Sequence, residues 1–124
     1  MNSTSSSVKQ VIENLILSNT LRLGVIGLTK TLSQELAPYN ILINAIGPGR
    51  FDTQRIRQLD QALAVKRGVS ADEISREAMN QIPLGRYGHP DEYARLAVFL
   101  CSEANSYITG QTILADGGMV KAVL

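Results

Sequence analysis

Between residues 11 and 37 the apolar positions follow a helical period. Leu21, Val25, Leu28, Leu32 and Leu36 recur every three or four residues, and Leu15, Leu17, Leu23 and Ile26 widen the stripe. This pattern predicts one long helix over 11–37. A helix so apolar on several sides has to be buried against more than one neighbour. Gly24 and Gly27 lower its intrinsic helicity, by roughly 1 kcal/mol each relative to Ala. Their missing side chains would permit close packing on a strand or a second helix. Pro38 ends the helix, because the residue before a proline is pushed out of the α region.

The pattern then changes. Ile41 to Ile46 is an apolar run interrupted only by Asn44, and it predicts a buried strand that Gly47-Pro48-Gly49 stops. Residues 54–80 are polar and predict two helical pieces broken near Gly68, with Ser70 and Glu73 spaced as a capping box. Such a segment is either a lid over a substrate site or a solvated connector. Pro90 opens the next helix, with Asp91 and Glu92 in its positive first turn. Tyr93, Leu96, Ala97 and Leu100 form that helix's inward stripe. Gln111 to Ala115 predicts a short strand closed by Asp116-Gly117-Gly118. Residues 1–9 are small, polar and serine-rich, which fits a frayed terminus or a strand end entering a Ser-lined loop.

Helices alternating with strands mean an α/β fold with parallel strands and helical crossovers. Only the two strands above are full, whereas an ordinary sheet has about five or six. A parallel pair leaves both edges bare and buries little. The sheet is therefore expected to be completed by a second copy of the chain or by a further segment. Ligands in such sheets sit beyond the strands' C-terminal ends, which singles out the Gly-Pro-Gly loop. No G-x-G-x-x-G loop follows a strand, so the phosphate-binding half of a dinucleotide domain is not encoded here.

Composition narrows the class. The 124 residues are 44% hydrophobic and 19% charged, with a formal net charge of +1, as in ordinary globular domains. Mixed charge of this size gives no basis for binding nucleic acid or an anionic membrane surface. No apolar run approaches the ~20 residues of a membrane span, and the polar start is no secretory signal. The single Cys101 excludes a disulfide within the chain, and on its helix it is expected in the core. These features predict a cytoplasmic protein. His89 is expected to serve helix entry, and Arg86 and Asp116 to hold loops.

An ordered set of segments carries a resemblance. Gly27-Leu28-Thr29-Lys30-Thr31-Leu32 is followed by Glu35-Leu36-Ala37-Pro38-Tyr39-Asn40-Ile41 and Ile43-Asn44-Ala45-Ile46. Then come Pro48-Gly49 with Thr53, the stretch from Pro83 to Glu92, and Ile108-Thr109-Gly110-Gln111 with Asp116-Gly117-Gly118. Together they resemble the C-terminal half of the short-chain dehydrogenase/reductase family, close to its 3-oxoacyl-acyl-carrier-protein-reductase-like branch. The resemblance implies half of a Rossmann-type, doubly wound parallel sheet over 1–124, rich in helix and poor in strands. It implies NAD or NADP as cofactor and a small carbonyl or alcohol as substrate. Pro48, Gly49, Phe51 and Thr53 would line the nicotinamide end. The family's serine would fall at Ser7, with Ser5 and Ser6 as neighbours. The long helix and last strand would pair subunits into a dimer or tetramer.

The same resemblance exposes a departure. The family's acid is a Tyr, with a Lys four residues later on the same helix face. The cation lowers the phenol from its usual pKa of about 10, so that it can exchange a proton with a carbonyl near neutral pH. None of the 4 tyrosines here is followed by Lys at that spacing. Counting back from Gly27, the two positions hold Ser18 and Arg22. Arg22 supplies a cation, but Ser18 is an aliphatic alcohol, far weaker as an acid, with no base in sequence beside it. The chain alone is therefore expected to be inactive. The alternative is a non-catalytic remnant that keeps only the subunit-pairing surfaces.

Overall fold

The computed structural model describes residues 1–123. Three short parallel strands lie side by side in the order β1 (Asn2–Ser3), β2 (Ala45–Pro48), β3 (Thr112–Ala115). Helix α1 (Ile16–Leu36) connects β1 to β2. Helices α2 (Gln54–Arg67), α3 (Ala71–Asn80) and α4 (Pro90–Cys101) connect β2 to β3. Successive strand side chains point to opposite faces, and β1 shows what covers each. The Asn2 amide donates to Thr29 Oγ1 on α1 at 2.8 Å, and Ser3 Oγ accepts from the Tyr93 hydroxyl on α4 at 2.7 Å. The sheet is thus wound on both sides, as the α/β reading requires. Residues 2–3 are a strand end running into a Ser-lined turn at Ser6–Val8, not a frayed terminus.

Helix α1 starts later than the apolar period suggests. Asn14 adopts the left-handed region at φ 61°, and the Asn19 side-chain amide donates to Ile12 O at 2.9 Å, so residues 11–15 form an irregular entry. No side chain caps the first turn. At the other end the chain tightens into a turn over Ala37–Tyr39, and Asn40 at φ 58° closes it by donating to Ala37 O. The expected burial of α1 on several sides does not occur. Only Thr29 and Ser33 are buried, while Leu17 is 77% exposed and Leu21 69%. The small hydroxyl side chains face the sheet; Leu17, Leu21, Leu23 and Leu28 are largely uncovered among the described residues, while Leu32 and Leu36 are half-buried. A methyl at Gly24 or Gly27 would meet nothing within 4 Å, so neither glycine makes the close packing their spacing suggests. Close approach is instead made by Gly110, whose added Cβ would sit 2.5 Å from Ser33 Oγ.

The middle strand is displaced from its apolar run. Expected over Ile41–Ile46, it spans Ala45–Pro48, with Gly47 opposite Leu114 and Pro48 opposite Ala115. Asn44 explains the shift. Its buried amide donates to Ile108 O at 2.7 Å and accepts from Gln111 N at 3.0 Å, while Ile43 N donates to Thr109 Oγ1. Over residues 43–44 these side-chain bonds stand beside backbone bonds from Gly110 N to Ile43 O and from Asn2 N to Asn44 O, and the regular ladder begins at Ala45. Proline is tolerated at its end, where Gly49 N makes the next bond, to Ala115 O at 2.9 Å.

The helical hairpin reads as expected. Thr53 caps α2, Gly68 at φ 69° ends it, and Ser70 Oγ accepts from Glu73 N at 3.1 Å to start α3. The reciprocal half of a capping box at Ser70–Glu73 is missing among the described residues. A full box forms at His89–Glu92, where His89 N donates to Glu92 Oε2 at 2.7 Å and His89 Nδ1 accepts from Asp91 N. On α4 the stripe of Tyr93, Leu96, Ala97 and Leu100 does face inward, but Cys101 is exposed, not core.

Candidate functional site at the strand ends

The C-terminal ends of three parallel strands bring three loops together. Ser5–Ser7 follows β1, Gly49–Thr53 follows β2, and Asp116–Gly118 follows β3. Contacts at two glycines show how tightly they meet. A Cβ at Gly47 would lie 2.9 Å from Ser5 O, so the serine loop crosses directly over β2. A Cβ at Gly49 would lie 2.7 Å from Asp116 Cβ. Asp116 in turn accepts from Gly118 N at 2.9 Å and Val120 N at 2.8 Å, which fixes the last loop as expected.

The structure sorts the three candidate serines. Ser5 Oγ accepts from Ser7 N at 3.1 Å and so caps the turn. Ser6 lines a cavity of about 640 Å³, together with Gln10, Ile12, Asn80, Gln81 and Met119. Ser7 is buried and its Oγ has no hydrogen-bond partner among the described residues. A buried hydroxyl without a bond carries a desolvation cost, so Ser7 is the serine with unspent hydrogen-bonding capacity.

Ser18 and Arg22 are brought together on α1. Arg22 Nε donates to Ser18 Oγ at 3.0 Å, and Arg22 Nη1 donates to the Thr4 carbonyl at the exit of β1. The i, i+4 spacing puts both on one helix face, and the guanidinium ties that face to the serine loop. The arrangement fixes a cation beside the strand ends. It does not make an acid of Ser18, which accepts a bond from Arg22 and has no base among its partners.

The β2 loop is more structural than its position implied. Phe51 pairs with Gly88, where a Cβ would sit 2.7 Å from its ring, and its edge meets Tyr93 with centroids 5.7 Å apart. Thr53 Oγ1 accepts from Ile56 N at 3.3 Å as the helix cap. Its hydroxyl proton remains available to a ligand. Pro48 and Gly49 hold β2 against β3, as described above.

One cluster at this edge, built on a buried carboxylate with two part-exposed donors, was not anticipated. Asp60 on α2 accepts from Arg50 Nη1 at 3.0 Å and from the Tyr87 hydroxyl at 2.7 Å. Burial, then the bond to Asp60, pushes the Tyr87 phenol above its ordinary value and keeps it a donor at neutral pH. The signal was present as Ile56, Asp60 and Ala64, a four-residue period carrying a carboxylate on the inward face. Nearby, Arg86 forks onto Glu92 at 2.8 and 2.7 Å, and this bond with the His89 backbone holds the Glu92 carboxyl down to about 2. His89 and Arg86 thus hold the α4 entry, as expected.

Among the described residues no cluster of His, Cys, Asp and Glu could hold a metal, and no helix is long and apolar enough to cross a membrane. Residues 1–120 match the family model described as enoyl-(acyl carrier protein) reductase. The chain is 45% identical over 101 residues to the 3-oxoacyl-[acyl-carrier-protein] reductase of Aquifex aeolicus, covering 82% of this chain and 36% of that protein. It is 37% identical over 110 residues to an NADPH-dependent reductase of Bacillus subtilis, covering 89% of this chain and 42% of that one. A crystal structure of a short chain dehydrogenase family protein from Francisella tularensis superimposes with TM-score 0.90 at 32% identity, over 94% of this chain and 48% of the other. The chain thus spans less than half the length of these relatives. With the two-sided parallel sheet and the loops converging at its strand ends, these likenesses show that the chain belongs to the short-chain dehydrogenase/reductase family, in its 3-oxoacyl-acyl-carrier-protein-reductase-like branch.

Proposed function

We propose that this chain is the C-terminal half of an NAD(P)-dependent oxidoreductase domain and that it does not catalyse hydride transfer by itself. The observation that carries this reading is the set of strand-end loops on a sheet whose β1 edge has no neighbour among the described residues. Pro48, Gly49 and Thr53 would form the wall against the nicotinamide, with the free Thr53 proton as donor. The cofactor, when bound, would supply or accept the hydride. Ser7 would offer its unpartnered hydroxyl to a substrate oxygen, and Arg22 would hold positive charge at the β1 exit. The substrate would be a small carbonyl or alcohol.

What this half lacks is a proton donor and a phosphate cradle. Ser18 stands where the family's phenol would be, and no glycine-rich strand-to-helix loop is encoded. Binding energy for a dinucleotide comes largely from its phosphates on a helix N-terminus. The test is titration with NADH and with NADPH, followed by nicotinamide fluorescence and thermal shift. No saturable signal up to millimolar cofactor is expected. Saturation at micromolar levels would overturn the half-site reading.

A second reading has its own observation. The exposed leucines of α1 support a self-associating chain that keeps the family's pairing surface whether or not it binds cofactor.

A further inference from the structure

Asp60 is a buried carboxylate that the proposed chemistry does not use. It joins three segments that are distant in sequence: the loop after β2 through Arg50, helix α2 through its own backbone, and the loop before α4 through Tyr87. Helices α2 and α3 pack chiefly on each other. Only Asp60, Ala64 and Ile74 are buried along the two helices. The other charged ties of this hairpin, Arg57 to Asp52 and Arg67 to Glu77, are solvent-exposed. Exposed pairs hold little, whereas the Asp60 carboxylate is buried although its Arg50 partner is 36% exposed, and taking one partner from a buried carboxylate leaves it uncompensated. The hairpin also matters to the cavity. Asn80 and Gln81 at its end line the 640 Å³ space together with Ser6, Gln10 and Ile12.

We propose that Asp60 is a latch: its bonds to Arg50 and Tyr87 dock the α2–α3 hairpin on the strand-end loops and thereby set the width of the cavity beside Ser6. When either donor is lost the hairpin loosens as a unit, while the sheet stays intact. The proposal goes beyond the cofactor reading and does not depend on it, because it is read without nucleotide.

The experiment is native-state amide hydrogen exchange on the full chain, comparing peptides within 54–80 with peptides covering 43–48. Tyr87→Phe removes one donor and keeps the ring. A lost bond to a charged group corresponds to about tenfold or more in local opening. Exchange over 54–80 is expected to rise by that factor in Tyr87→Phe, with 43–48 unchanged. Arg57→Met, which cuts only an exposed pair, should match the parent. Asp60→Asn should exceed Tyr87→Phe; if that variant fails to fold, the Tyr87→Phe comparison alone decides. An equal rise over 43–48 would make Asp60 an ordinary core residue, and no rise over 54–80 would mean it docks nothing. Either result overturns the latch.

Discussion

Replacing Gly49 by Ala tests whether this glycine serves packing independently of any cofactor. Its added Cβ would stand 2.7 Å from Asp116 Cβ and 2.8 Å from Asp116 Cα. Carbon atoms are comfortable at about 3.5–4.0 Å, so β2 and the β3 exit must separate by roughly 1 Å. Both clashing atoms sit on or next to the backbone, and no flexible side chain can swing away. The separation strains the Gly49 N to Ala115 O bond, 2.9 Å long, and the turn that Asp116 holds through Gly118 and Val120. Overpacking of this kind costs about 1–3 kcal/mol. For a chain of this length each kcal/mol moves Tm by roughly 3–6 °C, so a fall of about 3–18 °C is expected in thermal melting followed by circular dichroism. Gly24→Ala is the comparison, because its methyl meets nothing within 4 Å and a helix interior favours Ala. It should melt at or above the parent temperature. If Gly49→Ala melts within about 2 °C of the parent, the strand-packing argument is wrong and Gly49 is left with a ligand-facing role alone.

The remaining expectations concern charge, association and chemistry. The Glu92 carboxyl is held at about 2 in the fold, against 4.5 unperturbed, first by its bond to Arg86 and then by the His89 backbone. Its contribution to stability is therefore complete above the unperturbed value and lost as pH falls through the folded one. Acid melting curves should show the loss between these limits in the parent and not in Glu92→Gln, and identical curves would refute it. Leu17→Lys with Leu21→Lys should shift light-scattering mass toward the monomer at micromolar concentration; an unchanged mass would move the pairing surface away from α1. Ser18→Tyr with Arg22→Lys restores the family's donor pair without the phosphate-binding half. No turnover of carbonyl substrates with NADPH is expected, and robust turnover would end the half-domain reading.

Sequence pattern located the helices well and the sheet less well. Pro38, Gly68, Ser70 and Pro90 each mark a boundary through local backbone chemistry, and local chemistry can be read residue by residue. The offset of β2 could not be, because Asn44 bonds to Ile108 and Gln111, partners that only the fold brings near. The capping box was misplaced for a related reason: His89 is a less usual cap than Ser70, yet Arg86 anchors its partner Glu92. Among site positions, the resemblance points to Ser18 and Arg22, and their four-residue spacing on one helix face accounts for the bond between them. The choice among Ser5, Ser6 and Ser7 required knowing which hydroxyl the turn consumes. Asp60 was hidden because carboxylates on helices are usually solvated; only Arg50 and Tyr87, from two other segments, make its burial tolerable.

The distribution of apolar surface ties these observations to function. The buried hydrophobic residues are small in number and mostly lie around β2 and the hairpin: Ala45, Ile46, Ala64, Ile74, Ile82 and Leu100. The larger apolar side chains of α1, Leu17, Leu21 and Leu28 among them, remain more than half exposed. Fully covering each leucine is worth about 1.5–3 kcal/mol, a large share of the 5–15 kcal/mol that holds a typical domain together. A partner that covered α1 would therefore contribute to the stability of the fold itself, and not only to assembly. The polar pair Ser18–Arg22 lies on this same helix and ties it to the serine loop through Thr4. On the proposed reading, a partner that ordered α1 would also steady the cation at the β1 exit, because Arg22 bonds both Ser18 and the Thr4 carbonyl.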